Sequence, residues 1–128
     1  MGFRVNEIDH LVLTVTDIEA THRFYSRALG MKLITFGDNR TALVFGRRKI
    51  NLHEMGSSFS PHANTPTPGS GDMCLLTPSS IDEVVAHLNE MGIPIEAGPV
   101  TRAGATGPIR SVYVRDPDGN LVEIGHPE

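Results

Sequence analysis

This sequence predicts an α+β fold of two βαβββ modules that form a cup-shaped, partly open barrel. Three observations lead there. A strand-like segment, an amphipathic helix closed by glycine and three further strand segments follow one another, and that order occurs twice. Between the two runs, Gly56 to Gly71 holds almost nothing large and is rich in Ser, Pro, Gly, Asn and Thr. The chain has 128 residues, 39% of them apolar, enough for one shared core but not for two independent ones. Either unit alone would leave a sheet face uncovered, so pairing completes the core. The expected division is module one at 1–55, a linker at 56–70 and module two at 71–128.

In order, Ile8 to Val15 alternates and is β-branched, so it reads as a strand, with Leu11, Leu13 and Val15 on one face and His10, Val12 and Thr14 on the other. Asp17 is placed to cap a helix running to Leu29, and Gly30 to end it. Met31 to Phe36, Thr41 to Phe45 and Lys49 to Met55 are the next strands, separated by turns at Gly37-Asp38-Asn39 and Gly46-Arg47-Arg48. After the linker come a strand at Asp72 to Thr77, a helix at Ile81 to Met91 capped by Ser79 or Ser80, and a short strand at Ile93 to Glu96. A glycine-rich loop from Gly98 to Pro108 precedes the closing strands, Ile109 to Val114 and Leu121 to Ile124. Asp116-Pro117-Asp118-Gly119 is the tight turn between those two.

Composition narrows the function classes. A net charge of -4 gives no basic footprint for nucleic acid. No apolar run is long enough for a bilayer, and the N-terminus shows no signal-peptide pattern, so a cytoplasmic, non-membrane protein is expected. The single cysteine, Cys74, cannot form an intrachain disulfide. It reads as a small core residue. His22, His62, His87 and His126 read as surface residues.

The chemistry is expected on the strand faces. On the last strand Val122 and Ile124 point to the core, so Glu123 points away from it, and a carboxylate there needs a partner. By the same alternation His10 faces the cavity, as do Asn51 and His53 once Ile50 and Leu52 are packed. His10, His53 and Glu123 then form a two-histidine, one-carboxylate set suited to Zn, Ni, Mn or Fe. The competing reading leaves the histidines as ordinary strand residues and pairs Glu123 with an arginine. Ser111, Tyr113 and Arg115 share the cavity-facing parity on the penultimate strand, and Tyr113 is placed to donate a proton. Arg102 and Arg110 bracket the glycine-rich loop and are candidates, with Asn51, Ser111 and Arg115, to hold an anionic substrate.

Several blocks carry a family resemblance. Ile8-Asp9-His10-Leu11-Val12, Phe24-Tyr25-Ser26-Arg27-Ala28-Leu29-Gly30-Met31 and Asp116-Pro117-Asp118-Gly119-Asn120-Leu121-Val122-Glu123 resemble the opening strand, first helix and closing signature of the vicinal oxygen chelate superfamily of glyoxalases, bleomycin resistance proteins and dioxygenases. Lys49 to Glu54 and Gly98 to Ala105 resemble the glyoxalase domain-containing protein 5 group. The resemblance implies a divalent metal held by His10, His53 and Glu123, with Asp72 where relatives have histidine, and a homodimer with a small-molecule substrate. It implies a metal-dependent lyase or isomerase of glyoxalase type, with Glu123 as ligand and base. The alternatives are a non-catalytic binding or resistance protein, a dioxygenase-type member and a thiol transferase. Few aromatics and no Trp argue against stacking a large planar drug.

Overall fold

The computed structural model describes residues 2–128. The elements run β1 (His10–Val15), α1 (Ile18–Leu29), β2 (Lys32–Phe36), β3 (Arg40–Phe45), β4 (Arg48–Glu54), β5 (Asp72–Leu76), α2 (Ile81–Glu90), β6 (Ala97–Gly104), β7 (Gly107–Arg115) and β8 (Leu121–Pro127). They build two four-stranded sheets on one plan, β1-β4-β3-β2 and β5-β8-β7-β6. In each sheet the first strand is parallel to the last, and the other neighbours are antiparallel. A parallel pair needs a long crossover, and each module's helix lies within it. The α+β fold of two βαβββ modules is therefore present, its sheets forming an open, curved cup.

The helices start and stop where their sequences say. The Asp17 carboxylate accepts from Glu19 N at 2.9 Å, and Gly30 closes α1 at φ 70°. In α2 the Ser80 hydroxyl accepts from Glu83 N, capping the helix, and donates to the Glu83 carboxylate. Both helices turn their apolar stripes to one core. Tyr25, Ala28 and Leu88 meet Leu13 and Val15 of β1, Ile50 and Leu52 of β4, Val112 and Val114 of β7, and Val122 and Ile124 of β8. Each such side chain contributes about 1.5–3 kcal/mol on burial.

One polar cluster ties the modules together inside that core. The Tyr25 hydroxyl donates to Asp116 Oδ2 at 2.7 Å, and Asn120 Nδ2 donates to the same oxygen at 2.8 Å. Asp116 Oδ1 accepts from the backbone N–H of Asp118 and Asn120 at 3.0 and 2.9 Å. Burial and the adjacent carboxylate hold the Tyr25 phenol far above its ordinary pKa, so it stays protonated and donating.

Two segments differ from the expectation. Ile93 to Glu96 forms no strand, and the glycine-rich stretch after it is not a loop. Ala97–Gly104 pairs antiparallel with β7, with an irregularity between Ala97 and Val100, and the turn is only Ala105-Thr106. The pairing partner, not the side chains, makes this edge strand. Gly98 sits at φ 97°, where an added Cβ would run into the Ser111 carbonyl. Among the described residues no helix is long and apolar enough to cross a membrane.

Candidate functional site

Alternation says which face a side chain is on, and register says where along that face it stands. On the open face of the first sheet, away from the helices, one row is His10, Lys49, Val44 and Lys32. The next is Val12, Asn51, Ala42 and Ile34. Thr14 and His53 pair in a third row, as do Arg40 and Phe36. The second sheet repeats the plan with Asp72, Leu121 and Arg115, then Cys74, Glu123, Tyr113 and Ala97, then Leu76, Gly125, Ser111 and Val100.

These rows correct the metal reading. His53 is on the expected face, but it stands opposite Thr14, four residues along from Lys49, the partner of His10. At about 3.3 Å per residue that is roughly 13 Å, far beyond the span of one ion's ligands. By position in its sheet, the counterpart of Glu123 is Asn51, and that of His53 is Gly125. Lys49, a cation, is the direct neighbour of His10, whose Nδ1 is bonded to Asp9 at 2.8 Å. Asp72 is exposed and lines, with His10, a second cavity of about 540 Å³. Among the described residues no three His, Cys, Asp or Glu side chains gather where an ion could be held. One chain therefore does not fit Zn, Ni, Mn or Fe on His10, His53, Glu123 and Asp72.

What the second sheet does bring together is a cavity of about 610 Å³, lined by Cys74, Arg102, Tyr113 and Glu123 and walled by the hairpin tip from Ala103 to Pro108. Its volume suits a small molecule. Glu123 is held by a buried neighbour. Ser111, fully buried, donates to Glu123 Oε2 at 2.6 Å. Cys74 stands directly across from it in register, on the neighbouring strand. Burial first, and the Glu123 charge second, push the Cys74 thiol up to about 11, so at neutral pH it is a donor and not a thiolate. Cys74 is thus no core residue. Its parity with Asp72 on β5 is the sequence signal that places it on the open face.

Tyr113 is the cross-strand neighbour of Glu123 on the other side. Its hydroxyl accepts from Arg102 Nε at 3.1 Å, which leaves the phenolic hydrogen free to point at a ligand. Among the described residues Arg102 has no carboxylate partner; the side-chain ion pairs are His10–Asp9, Arg48–Glu7 and Arg115–Glu96. Arg115 is thereby engaged, with Nε and Nη2 on the two Glu96 oxygens at 2.9 and 3.0 Å, and does not line the cavity. Arg110 alternates with Ser111 and so lies exposed on the opposite face of β7, again outside the cavity. Of the two arginines bracketing the hairpin, only Arg102 faces Glu123.

Comparison with known proteins agrees with this architecture. A model of the Glyoxalase/Bleomycin resistance protein/Dioxygenase superfamily matches residues 7–124. Virulence protein STM3117 of Salmonella typhimurium is 55% identical over 120 residues, which are 94% of this chain and 83% of that protein. Its crystal structure superposes with a TM-score of 0.97, covering 98% of this chain and all of that one. Glyoxalase domain-containing protein RDO1 of Mycosarcoma maydis is 52% identical over 120 residues, 94% of this chain and 68% of that protein. The crystal structure of lactoylglutathione lyase from Agrobacterium tumefaciens is similar at a TM-score of 0.71 and 27% identity, over 95% of this chain and 94% of that one.

Proposed function

Because the chain belongs to the Glyoxalase/Bleomycin resistance protein/Dioxygenase superfamily, we propose that it is an enzyme of glyoxalase type that moves a proton between adjacent carbons of a small, oxygen-bearing molecule. The single observation that carries this reading is the row Cys74, Glu123, Tyr113, with Arg102 on the tyrosine hydroxyl, in one cavity. Glu123 takes the proton from a carbon next to a carbonyl and returns it to the neighbouring carbon. Tyr113 donates its hydrogen to the carbonyl oxygen as negative charge builds there and takes one back from the neighbouring hydroxyl as that carbon becomes the new carbonyl, while Arg102 stabilises the charge through the tyrosine. Ser111 fixes the carboxylate, so it is oriented before the substrate arrives.

The rival, a non-catalytic module for a planar drug, draws less support. Tyr113 is the single aromatic residue lining the cavity. Val12, Ile34 and Leu76 are exposed on the open faces, and Phe3, Val5 and Ile8 on the segment before β1, which supports pairing of two copies. Sedimentation at micromolar concentration tests that pairing.

The catalytic reading is tested by incubating the protein in D2O with a panel of small 2-hydroxy-carbonyl compounds and following deuterium uptake at carbon. Glu123→Gln is expected to slow exchange by about 10²–10⁴-fold, and Tyr113→Phe by about 10–10²-fold, with circular dichroism unchanged. Exchange that Glu123→Gln leaves untouched would remove Glu123 as the base. Tight binding of a compound without exchange would favour the binding module.

A further inference from the structure

The open face of the first sheet carries a second, different opportunity. Its twelve side chains from β1, β4, β3 and β2 include Lys32, Arg40, Lys49, His10 and His53, and not one carboxylate. In a chain of net charge -4, that concentration of positive charge on one surface favours an anionic occupant.

Two buried polar atoms on this face are without a partner among the described residues, Asn51 Oδ1 and His53 Nδ1. They stand two residues apart on β4, so both project from the same side. His53 is only 7% exposed. Leaving such atoms unsatisfied is costly, and two neighbours in that condition point to a ligand. His53 Nδ1 is a donor in one tautomer, rotating the Asn51 amide puts Nδ2–H where Oδ1 stands, and two donors beside a guanidinium make an oxyanion cradle. Phe59, from the segment after β4, covers it. Its ring meets the His53 ring edge-on at 5.6 Å, and Arg40 lies 4.6 Å from the Phe59 centroid. Burial first, and the Arg40 charge second, lower the imidazole's pKa and so disfavour its charged form, which leaves Arg40 to supply the charge and His53 the direction.

We propose that His53, Asn51 and Arg40 form a binding site for a small oxyanion, a carboxylate or a phosphate group, with Phe59 as its cover. Binding takes Arg40 off the Phe59 ring and onto the anion, while His53 Nδ1–H and Asn51 Nδ2–H donate to its oxygens. The site stands on the first sheet and does not depend on Glu123 being a base.

The test is an NMR titration of the isotopically labelled full chain with inorganic phosphate and, separately, with acetate. Saturable shifts of the His53 ring and the Asn51 side-chain amide are expected, weakened about tenfold in Arg40→Gln. Saturation by acetate alone assigns a carboxylate ligand, and by phosphate alone a phosphate. His53→Gln should abolish the shift at Asn51; Arg40→Gln, half-exposed, keeps the test valid if that variant fails to fold. Signals that stay still with both anions, as when an internal water fills the cradle, would overturn the proposal. So would shifts that never saturate, or that persist undiminished in Arg40→Gln, which would mean an adventitious ion only.

Discussion

The two sheets share strand order, parallel pairing and helix placement, yet their open faces are chemically opposed. The first presents Lys32, Arg40 and Lys49 with two histidines and no carboxylate. The second presents Asp72 and Glu123 with, among the described residues, one unpaired cation, Arg102, and its Arg115 is taken up by Glu96. At the position where the second sheet has Glu123 the first has Asn51, and where the first has His53 the second has Gly125. A common backbone therefore fixes where polar groups stand and leaves their charge free. In the roles proposed above, one face receives negative oxygen and the other takes up a proton.

The two sheets are halves of one body, and the cluster that joins them is where that unity is most open to test. Asp116→Ala strips the Tyr25 hydroxyl, the Asn120 amide and two backbone N–H groups of their acceptor, and is expected to cost about 3–5 kcal/mol in urea unfolding. Tyr25→Phe, which removes one donor of four, should cost about 1–2 kcal/mol. Two separate unfolding transitions in either variant would show that the halves stand independently.

A smaller effect is expected at Cys74, and it sharpens the contrast between the faces. With its thiol held near 11, alkylation by iodoacetamide should be slow at pH 8 and rise steeply toward alkaline pH. Glu123→Gln removes a charge and an acceptor, so thiolate should form earlier, with labelling roughly tenfold faster for each unit the pKa falls. The folded chain keeps this proton above the ordinary thiol value of 9.0 while the unfolded chain has lost it. Stability should therefore drop as pH climbs from about 9 to 11. A labelling rate indifferent to residue 123 would separate the two groups.

The smallest effect belongs to His53. Its pKa is lowered in the fold, chiefly by burial, so below the ordinary value of 6.5 the unfolded chain binds the extra proton first. Stability present above that pH is lost as pH falls through the lowered value, and His53→Leu should flatten this limb of the pH–stability curve. The same variant should leave divalent-ion uptake unchanged, because the register sets His53 apart from His10. Uptake that vanishes with His53 would restore it as a ligand.

Much of this was legible in residues alone. The alternation of β1, β4 and β8 correctly assigned the faces of Leu13, Ile50, Leu52, Val122 and Ile124, and Asp17, Gly30 and Ser80 marked the helix ends. Three things were not. Alternation has a period of two and cannot tell Asn51 from His53; only the pairing with β1 does. The β6 segment Ala-Gly-Pro-Val-Thr-Arg-Ala-Gly lacks the large, branched residues of a strand, and its conformation comes from β7. The Tyr25–Asp116 bond joins residues 91 apart, a contact no local pattern encodes.

The parallel pairing of each module's first strand with its last sets an order of assembly. Within each sheet the antiparallel neighbours are joined by short turns, so β2-β3-β4 and β6-β7-β8 close small loops. Joining β1 to β4 must bridge His10 to Lys49, 49 − 10 = 39 positions, and joining β5 to β8 must bridge Asp72 to Leu121, 121 − 72 = 49 positions. Distant pairings demand more chain ordering before any contact repays it. The three-stranded meanders are therefore expected to zip early and β1 and β5 to dock last, an order that φ-values lower in β5 than in β7 would bear out and the reverse would refute. Cys74 rides on β5, so on that order the wall of the Glu123 cavity is the final piece of the second module to arrive.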